Sequence, residues 1–201
     1  MKSSTPKLIV ISAPSGGGKT TLCQRLLRDF PTLTLSISTT TRAPRGQEKH
    51  GKDYYFLNSD DFKKRIEEGH FAEWAKVHDH YYGTAKETIQ SSWTSDRPVL
   101  LDIDVQGADS LKKTYANQCV TIFIAPPDLH ALEKRLRKRG TDSEDTIQKR
   151  LKNAEGELKH ASHFDHVILN DDLEKAYDAL NHLIRSVLSP SSPAGGNDPR
   201  G

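Results

Sequence analysis

The sequence contains no apolar run near the ~20 residues that a membrane-spanning helix needs. Its first apolar segment, Leu8 to Ile11, lies close to the N-terminus and is too short for the core of a signal peptide. Of the 201 residues, 34% are hydrophobic and 28% are charged, which is typical of a folded, water-soluble domain. We therefore expect a cytosolic protein without a membrane partner.

Cysteine is scarce, and neither sign of charge predominates. Cys23 and Cys119 stand 96 positions apart, so they form neither a close pair of zinc ligands nor a redox motif, and we expect two buried thiols. With 29 basic and 27 acidic residues, the formal net charge is +2. Such a balance does not favour nucleic acid as a partner, so any anion site must be local.

Apolar, strand-like segments alternate with helical patterns along most of the chain, which indicates an α/β fold with a mainly parallel sheet. The predicted strands cover 7–12, 99–103, 120–124 and 166–169. The predicted helices cover 19–30, 127–139, 143–160 and 172–188.

The stretch 38–94 differs from this pattern. It carries most of the aromatic residues and predicts short strands around one helix, 59–68. We expect a small α+β subdomain inserted into a core made of 1–37 and 95–188. The tail 189–201 is rich in Ser, Pro and Gly and has no apolar periodicity, which predicts disorder.

A glycine-rich loop separates the first predicted strand from the first helix. It consists of Ala13, Pro14, Ser15, Gly16, Gly17, Gly18, Lys19 and Thr20. The pattern G-x-x-x-x-G-K-[ST] is met except that Ala13 replaces the first glycine, which is tolerable if its φ stays negative. Backbone amides in such a loop surround phosphate oxygens at the start of a helix. Lys19 would reach the β- and γ-phosphates, and the Thr20 hydroxyl would ligate Mg²⁺.

Two carboxylates, Asp102 and Asp104, close a predicted buried strand. A spacing of two places both on one face if the strand persists through residue 104. Next to a phosphate loop, an acid at the carboxyl end of a neighbouring strand commonly holds Mg²⁺. We therefore predict a metal site formed by Thr20 and Asp102.

A stiff turn holds two arginines, Arg42 and Arg45, with Pro44 between them. Their guanidinium groups could both bind one phosphate, and Ser38 and Tyr54 could add hydroxyl donors.

A second basic cluster lies on a predicted helix. Arg135 and Arg139 are four residues apart and share a face, and Arg150 follows on the next helix. These three could close over a transferring phosphoryl group and stabilise its charge. The other basic residues of the run should be solvated: Lys134, Arg137 and Lys138.

Taken together, these motifs resemble those of guanylate kinases. The matching segments are 12–21, 36–46, 51–56, 71–74, 81–84, 101–107, 124–127, 135–141 and 170–173. The resemblance implies a P-loop NTPase core, a GMP-binding insert and a mobile helical lid at about 135–156. It also implies transfer of the γ-phosphate of ATP to GMP with Mg²⁺, and nothing in the sequence excludes dGMP as an acceptor.

The resemblance further implies three groups of site residues. The GMP-binding group is Ser38, Arg42, Arg45, Tyr54, Glu73, Tyr82, Thr84, Asp102 and Asp104. The ATP-binding group is the loop from Ala13 to Thr20 with Thr21 and Asn170. The catalytic group is Lys19, Arg42, Arg135, Arg139 and Arg150.

The chemistry of guanine supports the role of Glu73. A carboxylate accepts hydrogen bonds from the adjacent N1–H and N2–H₂ donors of guanine, whereas adenine presents an unprotonated N1 there. Because a buried polar mismatch is costly, Glu73 should reject adenine strongly.

Three other readings remain open at this point. Kinase-like domains that bind phosphorylated peptides resemble the same fold but typically have degraded phosphate loops. A P-loop kinase could also act on another nucleotide or on a ribosyl phosphate. Finally, the histidines could form a metal site; they are His78, His80, His160, His163 and His166.

Overall fold

The computed structural model describes residues 7–77, 79–140 and 142–189, with the side chain of Arg139 also outside the description. Of the predicted tail 189–201, only Ser189 falls within these ranges. None of the helices in the described ranges has the length and apolar character required to cross a membrane.

The chain alternates strands and helices in the order predicted for an α/β fold. The strands in the described ranges are β1 (Leu8–Ser12), β2 (Thr34–Leu35), β3 (Thr39–Thr40), β4 (Tyr55–Phe56), β5 (Phe71–Val77), β6 (His80–Ala85), β7 (Val99–Asp102), β8 (Cys119–Ala125) and β9 (His166–Leu169). The helices there are α1 (Lys19–Asp29), α2 (Ser59–Glu67), α3 (Lys86–Thr94), α4 (Val105–Tyr115), α5 (Leu129–Arg139), α6 (Glu144–Lys159) and α7 (Leu173–Leu188).

Five parallel strands form the main sheet, in the order β2-β7-β1-β8-β9. In the central strand β1, Leu8 pairs with Val99 of β7 on one side and with Cys119 of β8 on the other. All five residues of β1 are buried, as expected for a parallel strand that is covered by helices on both faces. Its carboxyl end therefore leads directly into the glycine-rich loop at the edge of the core.

Alternation along β1 divides the core into two layers. Ile9 and Ile11 pack with α1 and α7, whereas Leu8 and Val10 pack with α3 and α4. The two cysteines follow the same division, with Cys23 in the first layer and Cys119 in the second. Both thiols are free and buried, which confirms the prediction from their spacing.

A second sheet forms the insert, with strand order β4-β3-β6-β5. Its β5 and β6 are antiparallel, and α2 covers one face through Phe62, which is fully buried. The Phe62 ring stacks on Phe71 with centroids 4.5 Å apart and on Tyr81 at 5.4 Å. The aromatic residues that set this stretch apart in the sequence thus build a small core of their own.

The predicted elements lie within two residues of the observed bounds, but two helices were not predicted. In the stretch 38–94 we expected one helix, and the structure adds α3, whose Ile89 and Trp93 pack against the main sheet. The chain therefore returns to the core at about Lys86. Helix α4 was also missed, because a glycine in its first turn and few apolar residues weaken its periodic signal.

Helices α5 and α6 form the region predicted as a lid. They pack against each other through a small cluster that includes Leu132, Leu136 and Ile147. Gly140, with φ of +66°, ends α5 in the left-handed conformation that favours glycine. This pair of helices stands beside the glycine-rich loop and carries the second basic cluster.

Candidate active site

The glycine-rich loop adopts a conformation that only glycine adopts readily. Gly16 and Gly18 have φ of +94° and +93°, and Gly18 directly precedes α1. The Gly17 amide donates to the Pro14 carbonyl at 2.8 Å, which closes the turn. Among the described residues, the non-glycine positions with positive φ are Asp96 and Ala116, so Ala13 keeps the negative φ on which its tolerance depends.

Asn170, which directly follows β9, supports this loop by hydrogen bonding. Its side-chain amide donates to the Gly17 carbonyl at 2.7 Å, and its own backbone amide donates to Ala125 at 2.7 Å. A Cβ at Gly18 would lie only 2.4 Å from the Asn170 side-chain nitrogen. Asn170 also borders an open groove beside the loop, together with Gly16, Gly18, Thr21 and Arg135.

Lys19 connects the loop to the end of β7. Its ammonium nitrogen lies 2.6 Å from Asp102 Oδ1 and donates to the Ile103 carbonyl at 3.0 Å. Burial alone would lower the pKa of Lys19, but the charge and hydrogen bond of Asp102 outweigh burial and raise it. Lys19 therefore stays positively charged where a phosphate would arrive.

The expectation that Asp102 and Asp104 share a strand face is wrong. Strand β7 ends at Asp102, and Asp104 is instead the residue that caps α4. Its Oδ1 accepts hydrogen bonds from the amides of Gln106 and Gly107, both at 2.8 Å. The chain turns here because these helix-terminal amides need an acceptor that the helix itself does not supply.

A cleft with an empty volume of about 550 Å³ opens between the main sheet and the insert. Lys19 borders it, together with six of the nine residues predicted to bind GMP: Ser38, Tyr54, Glu73, Tyr82, Asp102 and Asp104. Thr20 and Asp102, the predicted metal ligands, both border an adjoining cavity. The structure thus brings together residues from β1–α1, β7 and the insert that are far apart in sequence.

Glu73 is the most deeply buried acid of this cleft, with only 6% of its surface exposed. Its Oε1 accepts a hydrogen bond from the Thr84 hydroxyl on the neighbouring strand at 2.6 Å. Burial raises the pKa of Glu73 to about 7, although the Thr84 hydrogen bonds oppose the shift and Asp104 adds to it. Thr84 itself is fully buried and reaches the cleft through this carboxylate.

The two arginines of the stiff turn do not occupy equivalent positions. Arg42 is 6% exposed, and its guanidinium donates to Glu48 Oε1 at 2.9 Å and lies 5.2 Å from the centre of the Tyr54 ring. The Arg45 side chain is exposed, while its backbone amide donates to Glu48 Oε2 at 2.8 Å. Glu48 was not predicted.

The lid arginines contact the phosphate loop and its support. Arg150 donates to the Ser15 hydroxyl at 3.2 Å and forms an ion pair with Asp142 at 3.1 Å. Arg135 donates to the Asn170 carbonyl at 2.7 Å. The side chain of Arg139 lies outside the described part of the chain, so its predicted role stays a prediction. The basic residues expected to be solvated are exposed: Lys134, Arg137 and Lys138.

Three cations around the cleft are thus paired with carboxylates of the chain itself. Lys19 pairs with Asp102, Arg42 pairs with Glu48, and Arg150 pairs with Asp142. Only Asp102 among these acids was predicted, because the pairing of an isolated acid depends on the fold and leaves no periodic signal.

Glu157 on α6 is a further acid that the sequence did not reveal. Burial raises the pKa of Glu157 to about 7, and its surroundings include Lys19 and Asp104. Its Oε2 has no hydrogen-bond partner among the described residues. In that same part of the chain, no three His, Cys, Asp or Glu side chains are arranged to hold a metal ion, and His78 lies outside it.

Comparison with known proteins gives a consistent result. The family model described as "Guanylate kinase" matches residues 5–187. A guanylate kinase of Oleidesulfovibrio alaskensis is 49% identical over 92% of this chain and 89% of its own length. One of Lawsonia intracellularis is 50% identical over 90% of this chain and 86% of its own length.

A solved structure agrees with these sequence matches. The crystal structure of guanylate kinase from Anaplasma phagocytophilum superposes with a TM-score of 0.75 at 32% identity, and covers 92% of this chain and 87% of that one. These matches extend over the phosphate loop, the insert and the lid alike. The chain belongs to the guanylate kinase family.

Proposed function

We propose that the cleft bordered by Glu73 and Lys19 binds GMP, that the phosphate loop binds ATP, and that the γ-phosphate passes between them. As a member of its family, the chain is an ATP:GMP phosphotransferase. The observation that supports this use of the cleft is the buried carboxylate of Glu73, held by Thr84 and facing the same space as Lys19.

On the acceptor side, Glu73 accepts the N1–H and N2–H₂ donors of guanine. Thr84 fixes one carboxylate oxygen and thereby holds the orientation of the Glu73 carboxylate in the cleft. Asp104 borders the base pocket. The phosphate of GMP is held by the remaining members of the acceptor group: Ser38, Arg42, Arg45, Tyr54 and Tyr82.

On the donor side, the loop from Ala13 to Thr20 surrounds the phosphates of ATP, while Thr21 and Asn170 border the groove for its nucleoside. Lys19, Arg135 and Arg150 share the negative charge of the transferring phosphoryl group, and we assign the same role to Arg139. The attacking oxygen of GMP is already anionic near neutral pH, so no general base is required. Alignment and charge neutralisation therefore carry the rate enhancement.

Thr20 and Asp102 fit a Mg²⁺ site. Both offer oxygen ligands of the kind that Mg²⁺ prefers, both border one cavity, and the side chain of Asp102 keeps 30% of its surface exposed. A Mg²⁺ ion held there would supply positive charge that neutralises the negative charge developing on the phosphate oxygens. Acceptance of dGMP, the absence of nucleic-acid partners and a cytosolic location stay predictions.

An ADP-release assay with ATP and Mg²⁺ tests the proposal when GMP, AMP, CMP and UMP are offered separately. We expect turnover with GMP alone. Absence of turnover in a folded sample that still binds GMP would contradict the proposal and favour a phosphopeptide-binding domain. Turnover with a different acceptor would contradict the role of Glu73 but not that of the phosphate loop.

A further inference from the structure

A glycine in the first turn of α4 has no backbone reason to be glycine. Gly107 is helical, its φ is not in the left-handed region, and its amide donates to Asp104 Oδ1 at 2.8 Å. Alanine favours a helix over glycine at such a position, so glycine here lowers the stability of the helix. The reason for Gly107 must therefore lie in what surrounds it.

The space next to Gly107 is filled by the carboxylate of Glu73. A Cβ at position 107 would lie 2.6 Å from Glu73 Oε2 and 3.1 Å from its carboxyl carbon, well inside contact distance. Glu73 cannot move aside freely, because it is 6% exposed and its other oxygen is bonded to Thr84 at 2.6 Å. A methyl group at 107 therefore displaces the carboxylate before it displaces any backbone.

We propose that Gly107 is a positioning residue for guanine recognition, because its missing side chain leaves the space in which the Glu73 carboxylate is held against Thr84. The inference rests on the proposed role of Glu73 in binding GMP. Thr84 holds one oxygen by a hydrogen bond, and the bare Cα of Gly107 lets the other approach the start of α4. Together they fix the direction in which the carboxylate meets the base.

The first test compares Gly107→Ala with Gly156→Ala. Gly156 lies in α6, and no atom stands within 4 Å of the Cβ that alanine would add there. Gly107→Ala should raise KM for GMP by about tenfold or more, as expected when a hydrogen bond to a charged acceptor is weakened. KM for ATP should stay within about twofold in both variants, and Gly156→Ala, whose added methyl meets no neighbour, should not melt below the wild-type protein.

A double-mutant cycle shows whether the effect passes through Glu73. In a Glu73→Ala background the carboxylate is gone and the nearest remaining neighbour of the added Cβ is Ile103 Cδ1 at 3.2 Å, so Gly107→Ala should cause little further loss in kcat/KM for GMP. Gly107→Ala alone should also reduce the preference for GMP over inosine 5′-monophosphate, which lacks the 2-amino group.

Each contrary result has one meaning. A wild-type KM for GMP in Gly107→Ala, an equal rise in both KM values, or additive losses in the cycle would overturn the inference. If the wild-type protein itself does not phosphorylate GMP, the proposed function is wrong. If it does and Gly107→Ala behaves in the same way, only the inference fails.

Discussion

The donor side and the acceptor side of the cleft use different parts of the chain for binding. On the donor side, the proposed binding groups include the backbone amides of the phosphate loop, which two glycines with positive φ position and Asn170 supports. On the acceptor side, the proposed binding groups are side chains, and Glu73, Thr84 and Arg42 are almost completely buried. Backbone amides recognise phosphate in any nucleotide, whereas a buried side chain rejects a mismatched partner strongly. The comparison indicates that the donor side sets the rate and the acceptor side sets the choice of nucleotide.

The largest expected effect is on the donor side. Lys19→Met removes the cation that faces the transferring phosphate, so we expect kcat to fall by about 10³-fold. Binding of GMP, measured by calorimetry without ATP, should change far less. Lys134→Met, at an exposed lysine on α5, is the control and should retain wild-type kcat. Equal losses of kcat and of GMP affinity in Lys19→Met would break the division between the two sides.

The next effect falls on the acceptor side. Glu73→Gln keeps the size of the side chain but replaces one acceptor by a donor that faces the N1–H of guanine. We expect kcat/KM for GMP to fall by about 100-fold and the preference over AMP to shrink by a similar factor. Glu67→Gln, an exposed acid on α2, should change neither value. An unchanged preference for GMP would remove Glu73 from base recognition.

The donor side and the acceptor side should also differ in how their KM values depend on pH. Because burial raises the pKa of Glu73 to about 7, lowering the pH below 7 protonates the carboxylate that we propose as the acceptor for guanine. KM for GMP should therefore rise by about tenfold between pH 8 and pH 6, while KM for ATP should rise much less. The rise should be absent in Glu73→Gln. If it persists there, the titrating group is another one, such as Glu157, whose pKa burial also raises to about 7.

The smallest expected effect comes from a substitution that tests the backbone geometry of the phosphate loop. Ala13→Gly restores the usual first residue of the phosphate loop, but Ala13 already has a negative φ. We therefore expect KM for ATP and kcat to stay within about twofold of the wild-type values. Gly18→Ala should change these two values much more, because φ at position 18 is +93° and the added Cβ would meet the Asn170 side-chain nitrogen at 2.4 Å. A large rise in kcat, or a large fall in KM for ATP, in Ala13→Gly would show that the methyl group of Ala13, and not its φ, limits nucleotide binding by the loop.

The parts of the fold that the sequence predicts well are those with a local cause. Strand β1 is a continuous aliphatic run buried on both faces, and α1 follows a glycine pattern with its own phosphate chemistry. Helix α3 lacks such a signal, because only Ile89 and Trp93 anchor it to the core. The end of β7 was also predicted wrongly, because the sequence alone does not show where the strand gives way to the cap of the next helix. The Ile103 amide still donates to Ile11 at 3.3 Å, but Asp104 already caps the next helix.

The candidate site shows the same limit. Lys19, Asp102 and Glu73 stand in recognisable motifs, whereas Glu48 and Asp142 gain their meaning only from the arginines that the fold brings to them. Gly107 is a further case, since the carboxylate that it accommodates is 34 positions away in the sequence. Contacts between distant segments without a periodic pattern are set by tertiary packing.

The pairing of Lys19, Arg42 and Arg150 with carboxylates also bears on which anions can compete for these three cations. An anion that approaches one of them does not meet a bare positive charge, because it must share the cation with the acid that already holds it. Exchanging one anionic partner for another gains little free energy. Inorganic phosphate or sulfate, which brings no base to bind Glu73, therefore gains little by occupying the site.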